Sequence, residues 1–129
     1  MEYYECKTCG NVMVLFEDSG VVPVCCGSTM NKIQPLGKDG PKEKHVPVVE
    51  IKEHLVNVKV GGILHPMTDD HYIKWIVLDT NKGKYIRDLK PGDEPIAHFC
   101  LQPDEKVNAV YSYCNIHSLW AIELWKENM

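Results

Sequence analysis

The residues of this chain that can do chemistry fall into two groups of metal ligands, one in each half of the sequence. The first group offers four thiols, from Cys6-Lys7-Thr8-Cys9 and from the adjacent pair Cys25-Cys26. Four sulfur ligands favour a tetrahedral zinc or iron site. The second pair has no spacer, so both side chains reach one metal only if the backbone twists there. The spacing therefore predicts a metal, and it leaves a structural zinc and a distorted iron tetrathiolate both open.

The second group offers four imidazoles and one thiol, each next to a predicted strand end or in a loop. Its members are His45, His65, His71, Cys114 and His117. Neutral imidazoles with one thiolate suit iron(II), copper or zinc. Five donors exceed the four of a structural zinc site and leave room for one open position. A thiolate opposite that position would push electron density toward a bound molecule, which suits reduction of a small oxygen species.

The remaining candidate ligands are predicted to have no part in either group. His54 and His98 stand apart from the motifs and are expected to be surface or packing residues. Cys100 is expected to be a buried thiol. A disulfide framework for the six cysteines is the less favoured alternative, because it requires an oxidising compartment.

Length and charge limit the class of protein. A chain of 129 residues, 44% hydrophobic and 25% charged, fits one domain or one domain with a small metal-stapled module. The formal net charge of −4 argues against a nucleic-acid partner. No apolar run is long enough for a membrane span, and the first residues lack the features of a secretory signal. We therefore predict a cytoplasmic protein with no membrane partner.

The elements that must position the ligands are predicted to be strands. Residues 1–34 form a first unit, in which 12–16 and 21–24 are predicted to pair as a hairpin around the turn 17–20. Such a unit is too small to fold without a metal or a partner. Residues 35–44 are rich in Gly, Pro and charge and form a linker and the start of an active-site loop.

Residues 45–129 form the second unit, which is predicted to be an antiparallel β-sandwich because short apolar runs alternate with turn signals. The predicted strands are Val56–Val60, Tyr72–Leu78, Ile96–Leu101 and Val107–Cys114. The last apolar stretch, 119–125, fits either a strand or a helix.

Taken together, the motifs resemble those of the desulfoferrodoxins, the two-iron superoxide reductases, over almost the whole chain. They are Cys-x-x-Cys with Cys-Cys, Glu43-Lys44-His45-Val46-Pro47, His65-Pro66-Met67, His71-Tyr72-Ile73-x-Trp75-Ile76, and Cys114-Asn115-x-His117. The resemblance implies a mainly β chain, with a desulforedoxin-like metal domain followed by an immunoglobulin-like sandwich, assembled as a homodimer. It implies a rubredoxin-like iron on the four cysteines and a catalytic iron on the four histidines and Cys114. The implied reaction reduces superoxide to hydrogen peroxide.

The resemblance also implies roles for two charged residues and for an electron donor. Lys44 would attract the anionic substrate, Glu43 would cover the open position in the oxidised state, and a rubredoxin-like protein would supply electrons. The main alternative is a non-catalytic two-iron electron-transfer protein, and a second is a zinc-stabilised interaction module.

Overall fold

The computed structural model describes residues 1–37 and 45–124, and within them all regular structure is β-strand. The predicted charged pair, Glu43 and Lys44, lies outside the described residues. The chain divides into two compact units, Met1–Gln34 and Pro35–Met129. Within the described ranges there is no helical segment with the length and hydrophobicity that crossing a bilayer requires.

The first unit is built around its first strand. β1 (Tyr3–Glu5) lies between β2 (Val12–Val14) and β5 (Asn31–Ile33), antiparallel to both. A separate two-stranded hairpin consists of β3 (Val24–Cys25) and β4 (Ser28–Thr29).

The predicted pairing of 12–16 with 21–24 is therefore wrong. β2 pairs with the central strand β1, whose Tyr4 (8% exposed) belongs to the buried cluster of the unit. Val21 and Val22 remain exposed and join no strand. A short apolar run alone did not distinguish a strand from an exposed loop here.

The second unit is a sandwich of a three-stranded and a four-stranded antiparallel sheet, which confirms the predicted fold class. The strands are β6 (Pro47–Lys52), β7 (Leu55–Val60), β8 (Ile73–Thr80), β9 (Lys84–Asp88), β10 (Ile96–Cys100), β11 (Val107–Cys114) and β12 (Ser118–Glu123). The sheet orders are β10-β7-β6 and β12-β11-β8-β9. Four plus three strands is the count of a constant-type immunoglobulin sandwich. The final apolar stretch is thus a strand as far as Glu123.

The core lies between the two sheets and follows from strand alternation. Val56, Val58 and Val60 of β7 are at most 1% exposed and belong to the same cluster as residues of β8, β10 and β11. Burying each such side chain stabilises the fold by roughly 1.5–3 kcal/mol. The same alternation corrects one prediction: Phe99 of β10 faces the core, so its neighbour Cys100 faces outward and is exposed.

A buried carboxylate ties together two turns at one end of β8 and β11. Glu105 is 7% exposed and accepts hydrogen bonds from the Thr80 hydroxyl, the Tyr85 hydroxyl and the Gln102 backbone N–H. These bonds, led by the one from Thr80, lower the pKa of Glu105. The ligand-bearing ends of the same two strands, at Ile73 and Cys114, are the opposite ends.

We predict that Glu105→Gln lowers the melting temperature by about 5 °C, because the amide cannot accept all the bonds that the carboxylate accepts. The folded-state pKa is lowered, so the stabilisation is present above the unfolded pKa and is lost as the pH falls through the folded value. The variant should therefore show a weaker loss of stability on acidification. Thermal melts from pH 7 to pH 3 measure both effects. Glu50→Gln, at an exposed carboxylate of β6, is the control, and equal melting curves for the two variants would contradict the prediction.

Candidate metal centres

The first three ligand positions of the four-cysteine group are set by a tight turn and by a strand. Cys6 follows β1, and its carbonyl accepts the Gly10 N–H at 2.8 Å, with Gly10 at φ +84°. The Cys9 N–H points at the Cys6 sulfur, with N and Sγ 3.5 Å apart. Cys25 ends β3, and its Sγ lies 3.7 Å from that of Cys9.

The adjacent pair Cys25-Cys26 reaches one site because a hairpin turn separates the two side chains. β3 and β4 are joined by only Cys26 and Gly27, with φ of +53° and +76°. Two positive φ values in a two-residue loop are those of a type I′ turn, the turn that matches strand twist. Cys26 adopts this conformation although a non-glycine residue there costs about 1–2 kcal/mol. The backbone twist that vicinal ligands require is thus supplied by the turn.

The four sulfurs lie within 4.8 Å of one another, and this crowding opposes more than one negative charge. The Cys9 backbone N–H lowers the pKa of Cys6 to about 6. In contrast, hydrogen bonding with the thiols of Cys6 and Cys9 raises the pKa of Cys26 to about 12. A full set of four thiolates therefore needs a cation among them, and the donor set fits a tetrahedral iron or zinc ion.

The second group lies in the sandwich unit and brings together all five side chains singled out in the sequence. The ligand atoms of His45, His65, His71 and Cys114 lie within 4.8 Å of one another. The fifth residue, His117, has its Nδ1 2.9 Å from His45 Nε2 and 3.8 Å from Cys114 Sγ. His54 and His98 are exposed and lie outside this group, as expected.

Strand pairing explains why residues so far apart in sequence meet. His71 lies two residues before β8, and Cys114 is the last residue of β11. β8 and β11 are antiparallel and pair Cys114 with Ile73, so both ligands lie at the same end of the sheet. The loop after β7 delivers His65, whose N–H bonds to the Val60 carbonyl. His45 precedes β6, and its carbonyl accepts the Ser112 hydroxyl of β11 at 3.1 Å.

His65 supplies the clearest test of whether this group fits a metal. Its Nδ1 lies 2.7 Å from the Pro66 carbonyl, which can only accept, so Nδ1 carries the proton. Its Nε2 then holds a lone pair, is fully buried and has no hydrogen-bond partner among the described residues. Burial lowers the pKa of His65 to about 4, which keeps the ring neutral. A buried, neutral, lone-pair nitrogen facing other donors fits a metal ion.

Trp120 supports two of these histidines and was not singled out by the sequence. Its indole ring stacks on His45, with centroids 4.6 Å apart and planes at 20°. Its Nε1–H donates to the His117 carbonyl at 3.1 Å. Trp120 is 1% exposed, so both contacts are held by packing. Trp120 lies in the last apolar stretch of the sequence, next to the equally buried Leu119, and only the fold shows which ligands it touches.

Comparison with known proteins places these two groups in a family. A family model described as Desulfoferrodoxin matches residues 37–123. The desulfoferrodoxin of Nitratidesulfovibrio vulgaris is 42% identical over 122 residues, covering 95% of each chain. A desulfoferrodoxin homolog of Archaeoglobus fulgidus is 43% identical over 120 residues, covering 93% of this chain and 94% of the relative.

A solved structure extends the likeness to the three-dimensional fold. The superoxide reductase from Treponema pallidum superposes with a TM-score of 0.77 at 33% identity, covering 95% of this chain and 96% of that one. The match spans both the desulforedoxin-like unit and the immunoglobulin-like sandwich. The chain therefore belongs to the desulfoferrodoxin family, and its four-cysteine and histidine–cysteine groups correspond to the two iron centres of that family.

Proposed function

We propose that this chain is a superoxide reductase, which combines one superoxide with one electron and two protons to give one hydrogen peroxide. The observation that carries the proposal is the convergence of four imidazoles and one thiol at one end of the sandwich. Relatives and a structural neighbour that bear the name superoxide reductase support it.

The proposed ligands divide the work of holding an iron ion. His45, His65 and His71 would bind through Nε2, His117 through Nδ1 and Cys114 through its sulfur. An iron ion held by these five donors would supply the electron to superoxide at its remaining coordination position. Cys114 is completely buried, which keeps water from the sulfur. His117 is exposed, so water can deliver the two protons on that side.

The substrate is an anion and the chain carries a net charge of −4, so attraction must be local. We assign that role to Lys44, which precedes the ligand His45 by one residue. Glu43 is proposed to cover the open coordination position in the oxidised state and to leave on reduction. Both roles rest on the family motif.

The wider assignments are also proposals. The four-cysteine iron would relay electrons from a rubredoxin-like donor, and the protein would work as a homodimer in the cytoplasm against oxidative stress. Exposed apolar side chains in the first unit support a protein contact there, since Phe16 is 88% exposed and Val21 74%.

The decisive experiment is stopped-flow mixing of the fully reduced protein with superoxide, scoring peroxide and dioxygen. A reductase yields one peroxide per superoxide and no dioxygen. Half that peroxide, with dioxygen, would mean dismutation. No consumption of superoxide above the buffer rate would replace the proposal with a simple electron-transfer protein.

Cys114→Ser should remove the thiolate-to-iron charge-transfer absorption of the histidine–cysteine centre and slow superoxide reduction more than about a hundredfold. The loss of a direct ligand should exceed the 10–100-fold typical of residues that only support ligands. Absorption spectra and stopped-flow rates measure the two effects. Cys100→Ser is the matched control, since Cys100 is exposed on β10 and outside both groups. An unchanged spectrum in Cys114→Ser would remove the thiolate from the centre.

Lys44→Gln should slow the association of superoxide by about tenfold at low ionic strength, and the difference should shrink as salt screens the charge. Lys59→Gln removes the same charge from the exposed face of β7 and should change the rate little. The second-order rate constant is measured across a salt series. Equal rates for the two variants would mean that net charge alone matters.

A further inference from the structure

Asn115 makes three hydrogen bonds to the residues around His71 that no pairing of strands supplies, and its Oδ1 also lies 4.0 Å from the Cys114 sulfur. Its side-chain Nδ2–H donates to the Asp70 carbonyl at 2.9 Å, and its Oδ1 accepts the Tyr72 N–H at 2.9 Å. Its backbone N–H donates to the Tyr72 carbonyl at 3.1 Å. Asn115 is exposed, so water competes for its hydrogen-bonding groups. The net strength of these bonds therefore depends on how well the fold aligns each donor with its acceptor.

The partners of this amide lie on both sides of His71. Asp70 and Tyr72 are the chain neighbours of His71, and Asn115 is the neighbour of Cys114. The Asn115 side chain therefore links the peptide groups on both sides of His71 to the chain immediately after Cys114. The two ligands are 43 residues apart in sequence: His71 lies in the loop before β8, and Cys114 ends β11.

The hydrogen bonds of Asn115 lie just beyond the last residue pair of the β8–β11 ladder. The last pair of β8 and β11 is Cys114 with Ile73, and a register irregularity precedes it between Tyr113 and Cys114. Beyond that pair no regular ladder holds His71 against the 114–117 loop. The Asn115 side chain extends the connection by one more step, as a peptide group would, because its amide carries both N–H donors and an acceptor oxygen.

The loop that carries His71 has its own independent anchor. The Thr68 backbone and hydroxyl bond to the backbone of His71, and the Ile73 N–H donates to the Met67 sulfur at 3.3 Å. These contacts would keep the loop folded without Asn115. The Asn115 amide adds a fixed distance between the His71 loop and Cys114 at the end of β11.

We propose that Asn115 is a positioning residue for the histidine–cysteine centre: it fixes His71 relative to Cys114 before a metal binds. Holding donors at binding distance in the metal-free protein removes the entropic cost of ordering the His71 loop against the end of β11 when the metal binds. This inference rests on the proposed ligand set but not on superoxide as the substrate.

The test uses cobalt(II) in place of iron and needs no turnover. Each protein is loaded with cobalt, and the release of metal to excess chelator is followed by the thiolate charge-transfer bands. Asn115→Ala should release cobalt from the histidine–cysteine centre about 10–100-fold faster than the wild type. Asn115→Asp should be at least as fast, since its carboxylate faces the Asp70 carbonyl without a donor. The four-cysteine centre, which has a separate spectrum, should release cobalt at an unchanged rate.

Asn57→Ala is the matched control, because Asn57 also contacts another side chain, with Oδ1 2.6 Å from His98 Nδ1, but away from both metal groups. It should leave both release rates unchanged. A second readout separates positioning from general stability: Asn115→Ala should lower the melting temperature of the cobalt-loaded protein more than that of the metal-free protein.

Either of two results would overturn the inference. The first is wild-type release from Asn115→Ala, and the second is an equal loss of melting temperature with and without metal. Absence of a Cys114 charge-transfer band in cobalt-loaded wild type would overturn it together with the ligand set. If the release rates follow the expectation while the wild type fails to reduce superoxide, the proposed function fails and this inference stands.

Discussion

The antiparallel pairing of β8 with β11 is the constraint on which the histidine–cysteine centre depends. Because that pairing places Ile73 opposite Cys114, the residues just beyond each strand emerge at the same edge of the sheet. A shift of either strand by one residue would exchange the two faces of that strand and bury the wrong side chains. The core residues Ile76, Leu78 and Val110, all fully buried, therefore fix the register that brings His71 to Cys114.

The contacts that hold each proposed metal ligand in place differ with its distance from the β8–β11 ladder. Cys114 belongs to the strand itself and is completely buried. His65 and His45 lie in loops, and they are held by the Val60 carbonyl and by the ring of Trp120. His117 is the most exposed of the five and is held through its carbonyl by the Trp120 indole N–H. Packing and single hydrogen bonds thus replace the ladder where the ladder ends.

The small N-terminal unit shows a different balance of forces. Its buried apolar side chains are only Tyr3, Tyr4, Cys6, Met30 and Ile33, so apolar burial contributes less than in the sandwich. The left-handed conformation of Cys26 adds a cost, and the crowding of four sulfurs opposes charging them. A cation among four thiolates offsets both, which is why a metal and a tight turn occur together in a unit of this size.

The amino-acid sequence by itself determined the fold class and the types of metal ligand, because both follow from residue types and spacings that are local in the chain. Strand runs such as Val107–Cys114 are recognisable from apolar alternation and flanking turns, and the spacing of Cys6 and Cys9 is that of a metal knuckle. Local pattern was insufficient where a residue's role depends on a distant partner. The prediction paired 12–16 with 21–24 because the local pattern does not show that β1 is the central strand of the unit. It placed Cys100 in the core because the local pattern does not show which face of β10 is covered. Only the tertiary structure decided that Trp120 lies against His45 and that Asn115 brackets His71, since contacts between residues far apart in sequence exist only once the sheets have paired.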